Sequence, residues 1–177
     1  MKKLILIVIM FLIPILSYSQ EKIFTTADAA NISESEYKYS IGAAAGFTTG
    51  TGVSFRKWFD NKKAVQITLL PFLNKENSTI SLGLTYLQKL KQGKTTNLFF
   101  YTGYHYFQVI ETSYIDDKNI LNKKNTSINN NVGAGPGLEI KIDNIVFDIM
   151  VGFAIYHNNI DKLSLGLTGE IGLFYNF

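Results

Sequence analysis

The chain reads as an all-β protein, an eight-stranded antiparallel up-and-down transmembrane β-barrel, and three features of the sequence lead there. The first is alternation in its final stretch, SLGLTGEIGLFYNF. Leu163, Leu165, Leu167, Ile171, Leu173, Tyr175 and Phe177 share one parity, broken by Gly169, while Ser164, Gly166, Thr168, Glu170, Gly172, Phe174 and Asn176 take the other. Successive side chains of a strand point to opposite faces, so a period of two gives one greasy side and one small, polar side. The second feature is recurrence. Similar runs cover Lys38–Phe47, Thr51–Phe59, Ala64–Leu73, Thr79–Lys89, Asn97–Ile110, Asn131–Ile142, Ile145–His157 and Leu163–Phe177. The third is the asymmetry of the connections. DNKK (60–63), the region of KQGK (91–94) and DN (143–144) are tight, whereas TTG (48–50), NKEN (74–77), 111–130 and NNIDK (158–162) lie on the opposite side and include the longest loop. Tight periplasmic turns opposed by longer outer loops are the pattern of outer-membrane barrels, and an even strand count returns both termini to the same side.

Before the first strand, MKKLILIVIMFLIPILSYSQ carries Lys2 and Lys3, an uncharged apolar run from Leu4 to Leu16 and a short polar end, the form of a secretory signal peptide cut after Gln20. A retained anchor helix is the rival reading, but the apolar run falls short of the ~20 residues a spanning helix needs. Residues 21–37 have no clear period and read as a periplasmic N-terminal arm, leaving 38–177 as the barrel domain. Removal of Lys2 and Lys3 lowers the formal net charge from +3 to about +1, too little to imply a nucleic-acid partner. Cysteine is absent, so neither disulfides nor thiolate metal sites arise.

Parity separates a membrane barrel from a soluble one. Ile80, Leu82, Leu84 and Tyr86 oppose Thr79, Ser81, Gly83 and Thr85. Val132, Ala134, Pro136, Leu138 and Ile140 oppose Asn131, Gly133, Gly135, Gly137 and Glu139, and Ile145, Phe147, Ile149, Val151, Phe153 and Ile155 oppose a set with Asp148 and Gly152. A soluble barrel, the periplasmic carrier of an apolar ligand, would face solvent with Lys and Glu. Here the polar face holds few charges, so it is expected to be a crowded interior, with the greasy face against lipid. Tyr39, Trp58, Phe59, Tyr86, Phe147, Tyr175 and Phe177 fall near the periplasmic strand ends and are expected to form an interfacial girdle. In 97–110 both parities are aromatic. Placing Leu98, Phe100, Tyr104 and Tyr106 against lipid turns His105 inward.

From Lys38 onward the chain resembles the small eight-stranded bacterial outer-membrane β-barrel proteins of the OmpA/OmpX type. Its ending resembles the C-terminal assembly signal of that family, a terminal aromatic preceded by apolar residues at alternate positions, matched by Phe177, Tyr175, Leu173 and Ile171. The resemblance implies a porin-like protein of the Gram-negative cell envelope. Its location would be the outer membrane, and its partners the outer-membrane lipids and the barrel-assembly machinery. Architecture of this kind does not assign an activity.

An eight-stranded interior is filled by side chains, so charges there need partners. The two-residue turn Asp143-Asn144, of residue types that tolerate positive φ, places Glu139 across from Asp148. Directly opposed like charges destabilise a sheet, and Arg56, with interior parity at a matching depth, can serve both through its planar fork. The expected lumen charge network is therefore Arg56, Glu139 and Asp148, with Lys141 near the rim and Glu170 higher in the barrel. Acid–base catalysis by the carboxylate pair is the alternative, disfavoured because the site is walled in.

Other motifs carry less. GAGPG (133–137) lacks the helix a phosphate loop needs, its inward glycines make room in a narrow barrel, and Pro136, unable to donate to a ladder, predicts a bulge. NST (77–79) is a glycosylation acceptor only in eukaryotic secretion. A lipid-modifying outer-membrane enzyme would need a histidine in reach of a serine, and the contexts of His105 and His157 do not match the His–Ser spacing of barrel deacylases. No catalytic, cofactor or metal residues are assigned. The candidate recognition element is the loop 111–130, with Tyr114, Asp116, Asp117, Lys118, Lys123 and Lys124, whose extracellular ligand is unknown. The plainer reading of that segment is a solvated hairpin extending both strands. Asp116 and Asp117 lack the ligand spacing of a calcium loop.

Overall fold

The computed structural model describes residues 37–59, 62–73, 77–113, 123–158 and 162–177. The expected signal peptide (1–20), nearly all of the arm (21–37) and the loop residues Tyr114, Asp116, Asp117 and Lys118 lie outside the described residues. The alternating runs become β1 (Tyr39–Gly46), β2 (Gly52–Phe59), β3 (Lys63–Leu73), β4 (Asn77–Gln92), β5 (Thr96–Ser113), β6 (Lys123–Ile142), β7 (Ile145–Asn158) and β8 (Lys162–Asn176). Each is antiparallel to the next, and β8 returns to β1, which closes the ring.

Closure removes the sheet edges along the paired length of β1 and β8, and a pleat of period two sorts the side chains into two environments. Ile41, Leu82, Leu84, Ile149, Leu165 and Leu173 point outward and are exposed. Ser54, Arg56, Gln66, Thr85, Glu139, Asp148 and Glu170 point inward and are buried. The barrel is thus oily outside, while its interior holds the buried charges together with apolar side chains such as Leu87, Phe99 and Met150. The aromatic ambiguity of β5 resolves in the same way: Leu98, Phe100 and Tyr104 face out, while Phe99, Tyr101 and His105 are buried.

Several expectations need correction. Trp58 does not join the outer aromatics: it is only 8% exposed and shares the inward parity of Ser54 and Arg56. Its indole forms a surface for cations, with Lys89 Nζ 3.7 Å and the Arg56 guanidinium 5.8 Å from the ring centroid. Pro136 produces no bulge, since the β6–β7 register is unchanged on its two sides. Pairing to β7 is instead interrupted at Gly135 and Pro136, while Pro136 stays opposite Phe100 on β5. Because Ile142 and Ile145 flank the two-residue turn, even-numbered residues of β6 direct their backbone groups toward β7, and the missing proline N–H falls at that gap. The register irregularity lies elsewhere, between Lys89 and Lys91. Asp143 carries the positive φ that the turn to β7 demands (54°).

Lengths are uneven in a way the sequence pattern did not reveal. β5 and β6 pair as far as Ser113 and Lys123, so much of the expected 111–130 loop is hairpin, and Lys123 and Lys124 begin a strand. By contrast, β1 and β2 are short. Their connection, Phe47–Thr51, turns into the barrel, where Thr48 and Thr49 are fully buried. The expected outer turn TTG is therefore an interior element.

Candidate functional site: two polar clusters in the lumen

Near the end where β1 begins and β8 finishes, the register sets Glu139 against Asp148 and Arg56 against Gln66. Arg56, 1% exposed, is among the largest fully buried side chains. Its Nη2 donates to Asp148 Oδ2, and its Nη1 lies 3.4 Å from Glu139 Oε2. Gln66 Oε1 accepts from Nε at 3.1 Å and from Nη2 at 2.7 Å, holding the fork from the other side. The Phe174 ring packs on the guanidinium, 4.0 Å from centroid to Cζ. Glu139 Oε1 in turn accepts from Asn97 Nδ2 at 2.5 Å and lies 3.9 Å from Lys89 Nζ. Two cations thus face two carboxylates among residues that are almost wholly enclosed. Sequence reasoning brought Arg56, Glu139 and Asp148 to one depth but missed Lys89, Asn97 and Gln66, whose inward parity was the available signal.

Glu170 stands apart from this group and has no cation within ion-pair distance among the described residues. Its carboxylate is held by the inward loop: Thr48 Oγ1 donates to Oε1 at 2.6 Å and Thr49 Oγ1 to Oε2 at 2.7 Å. The backbone N–H of Thr48 donates to Oε1 at 3.1 Å, that of Thr49 to Oε2 at 3.3 Å, and Thr168 Oγ1 adds a bond to Oε1 at 2.6 Å. Neutral donors, two of them backbone amides, solvate the charge in place of water. Room for the loop comes from glycine. A Cβ on Gly83 would run into the Thr49 carbonyl, and one on Gly103 into that of Thr48.

The far side of the loop is fastened by His105. Its Nδ1 lies 3.0 Å from the Phe47 carbonyl, which also accepts from Asn131 Nδ2 at 2.9 Å. A carbonyl only accepts, so Nδ1 carries the proton and Nε2 accepts from Ser81 Oγ at 2.8 Å. Ser81 Oγ accepts in turn from the Thr51 N–H at 3.1 Å.

No family model matches the chain, and no curated protein matches it in sequence. Among solved structures, the crystal structure of the N-terminal β-barrel domain of Pseudomonas aeruginosa OprF is similar to it, with a TM-score of 0.48 and 13% identity over 78% of this chain and 96% of that one.

Ile171, Leu173, Tyr175 and Phe177, the residues of the expected assembly signal, all lie on the outer face of the closing strand or at its end. Phe177 exchanges backbone bonds with Tyr39, and their rings stack at 6.2 Å, so the last residue takes part in closing the ring. Of the expected recognition residues, only Lys123 and Lys124 fall in described backbone, at the start of β6.

Proposed function

We propose that the protein is an integral outer-membrane barrel with a closed lumen, serving a structural or surface-interaction role through its outer loops. The observation that carries this reading is the outer wall itself. Leucine, isoleucine, valine and aromatic side chains are exposed on every strand, whereas the buried charges face the axis. Water would penalise such a wall, and lipid would not. Tyr39, Phe59, Tyr86, Phe147, Tyr175 and Phe177 are all outward near the end that carries the termini, which suits a membrane interface. Outer-membrane lipids are then the partners of the wall, and the terminal aromatic with its alternating residues is the signal offered to the barrel-assembly machinery. The ion-pair cluster and the inward loop close the lumen in series, so the role falls to the outer loops, with 111–130 as the candidate recognition element.

The Ser81–His105 contact gives a hydrolase its one specific observation. Against it, the histidine's other nitrogen faces a peptide carbonyl, which cannot stabilise an imidazolium as a carboxylate does. Ser81 is also only 1% exposed. The contact is read here as a latch on the inward loop.

Fractionation combined with gel mobility before and after boiling tests the location. The expected result is recovery with the outer membrane and a heat-dependent shift. A soluble periplasmic protein whose migration ignores boiling would sink the reading. In planar bilayers the wild-type protein is expected to give no steady conductance, and His105→Ala should leave lipid A composition unchanged.

A further inference from the structure

The wall has a gap. β1 pairs with β8 only from Ser40–Asn176 to Gly46–Glu170, after which the chain turns inward, while β8 continues outward to Lys162. Tyr39 and Phe177 exchange both backbone bonds, so by alternation the odd-numbered residues of β8 direct N–H and C=O toward β1. Beyond the end of β1 these are Gly169, Leu167, Leu165 and Leu163, and no described strand pairs with them on that side. On the other bank of the gap, β2 pairs with β3 only as far as Val53–Leu69. There the next residue aimed into the gap is Pro71, which has no N–H to leave unpaired. One bank is thus blunted and the other is open.

An apolar band of about 25 Å starting at Tyr175 reaches roughly to Leu165, given ~3.3 Å per residue and a strand tilt near 40°. Part of the open bank therefore lies at lipid depth, where unpaired backbone groups are costly. Its leucines are also the most exposed large hydrophobic side chains among the described residues, Leu163 at 72%, Leu165 at 75% and Leu167 at 68%. The Leu167 carbonyl is capped by Tyr156 Oη at 2.8 Å, a side chain substituting for the missing strand.

A cavity of about 900 Å³ runs through this gap, lined on the lipid side by Ala45, Leu167 and Ile171 and on the lumen side by Phe107, His105 and Asn131. That volume lies within the roughly 300–1,000 Å³ typical of small-molecule sites. Gly169 lines it too, with open space where a side chain would stand. No lysine or arginine is among the described lining residues. Asn131 is 7% exposed, and its amide nitrogen is committed to Phe47, which leaves Oδ1 as a buried acceptor without a partner. Buried acceptors of this kind call for a donor.

We propose that the gap is a lateral binding site for a single-chain membrane amphiphile. Its acyl chain lies along Ala45, Leu167 and Ile171, and its uncharged head, bearing a hydroxyl or amide, donates to Asn131 Oδ1. The proposal rests on the outer-membrane reading. The site is a side pocket in the wall and requires no opening of the lumen clusters.

The test uses the full-length protein in lipid nanodiscs and a monoacylglycerol with a photoactivatable diazirine in its chain, followed by peptide mapping. Labelling is expected to concentrate on β8 around Leu167 and on β1 around Ala45. Gly169→Leu, which fills empty space, should lower it at least tenfold while preserving the heat-dependent gel shift. Unlabelled monoacylglycerol should compete at least tenfold better than the matching fatty-acid methyl ester, and Asn131→Leu should erase that preference. Labelling spread evenly over all outward strands, or unchanged by Gly169→Leu, overturns the site. Equal competition by the two lipids in the wild type overturns the assigned head. A cross-link from Leu165 to a co-purifying protein strand in place of lipid overturns the occupant. Loss of the gel shift in the wild type itself would instead overturn the membrane reading.

Discussion

The two ends of the lumen solve the same problem in opposite ways. Near the start of β1 and the end of β8, carboxylates from neighbouring strands are neutralised by cations, Arg56 between Glu139 and Asp148 with Lys89 alongside, all carried on strands. Toward the loops, a single carboxylate, Glu170, has no cation partner among the described residues and is satisfied by hydroxyl and amide donors from a connection that folds inward. A narrow barrel can therefore hold buried charge with side chains that its pleat already supplies, or by importing backbone donors. The first option needs only the correct parity. The second costs a local shortening of the wall, because residues that could have continued β1 and β2 are used inside.

The comparison can be broken most forcefully at Arg56. Arg56→Leu leaves Glu139 and Asp148 buried without their bridging cation and is expected to cost about 3–5 kcal/mol, read as a lower urea midpoint for unfolding from lipid vesicles. A loss below about 1 kcal/mol would mean that Lys89 and Asn97 suffice at this end. Glu170→Ala orphans the donors of Thr48 and Thr49 and should cost about 1–3 kcal/mol. Faster hydrogen exchange at those two amides, with the β2–β3 ladder still protected, would locate the damage in the loop.

Gly83→Val tests the space that the loop occupies. Because a Cβ there collides with the Thr49 carbonyl, the loop should be displaced while the outer wall keeps its heat-dependent mobility, and exchange at Thr48 and Thr49 should approach that of Glu170→Ala. Retained protection would show that the strands yield instead. The smallest effect is expected from Ser81→Ala, about 1 kcal/mol, since the Thr51 N–H and His105 lose one shared partner. If the two ends are independent, the costs of Arg56→Leu and Glu170→Ala should add within about 0.5 kcal/mol in the double variant. A larger coupling would make them one network after all.

The amino-acid sequence by itself determined the strand number, the antiparallel order, which face is oily and the shared depth of Arg56, Glu139 and Asp148. Each follows from a period of two and from tight turns that fix register, which are local properties written in consecutive residues. Parity also held the answer for Trp58, whose inward position was masked by the expectation that aromatics at strand ends belong to a girdle. Only the tertiary structure decided that Phe47–Thr51 enters the barrel, that Glu170 is solvated by Thr48 and Thr49, and that β8 lacks a strand partner on its β1 side beyond Glu170. These depend on residues more than a hundred positions apart meeting across a closed ring, and on glycines at 83 and 103 leaving a void whose use no single strand records. Alternation tells a side chain which way to face, but not what the far wall has left empty for it.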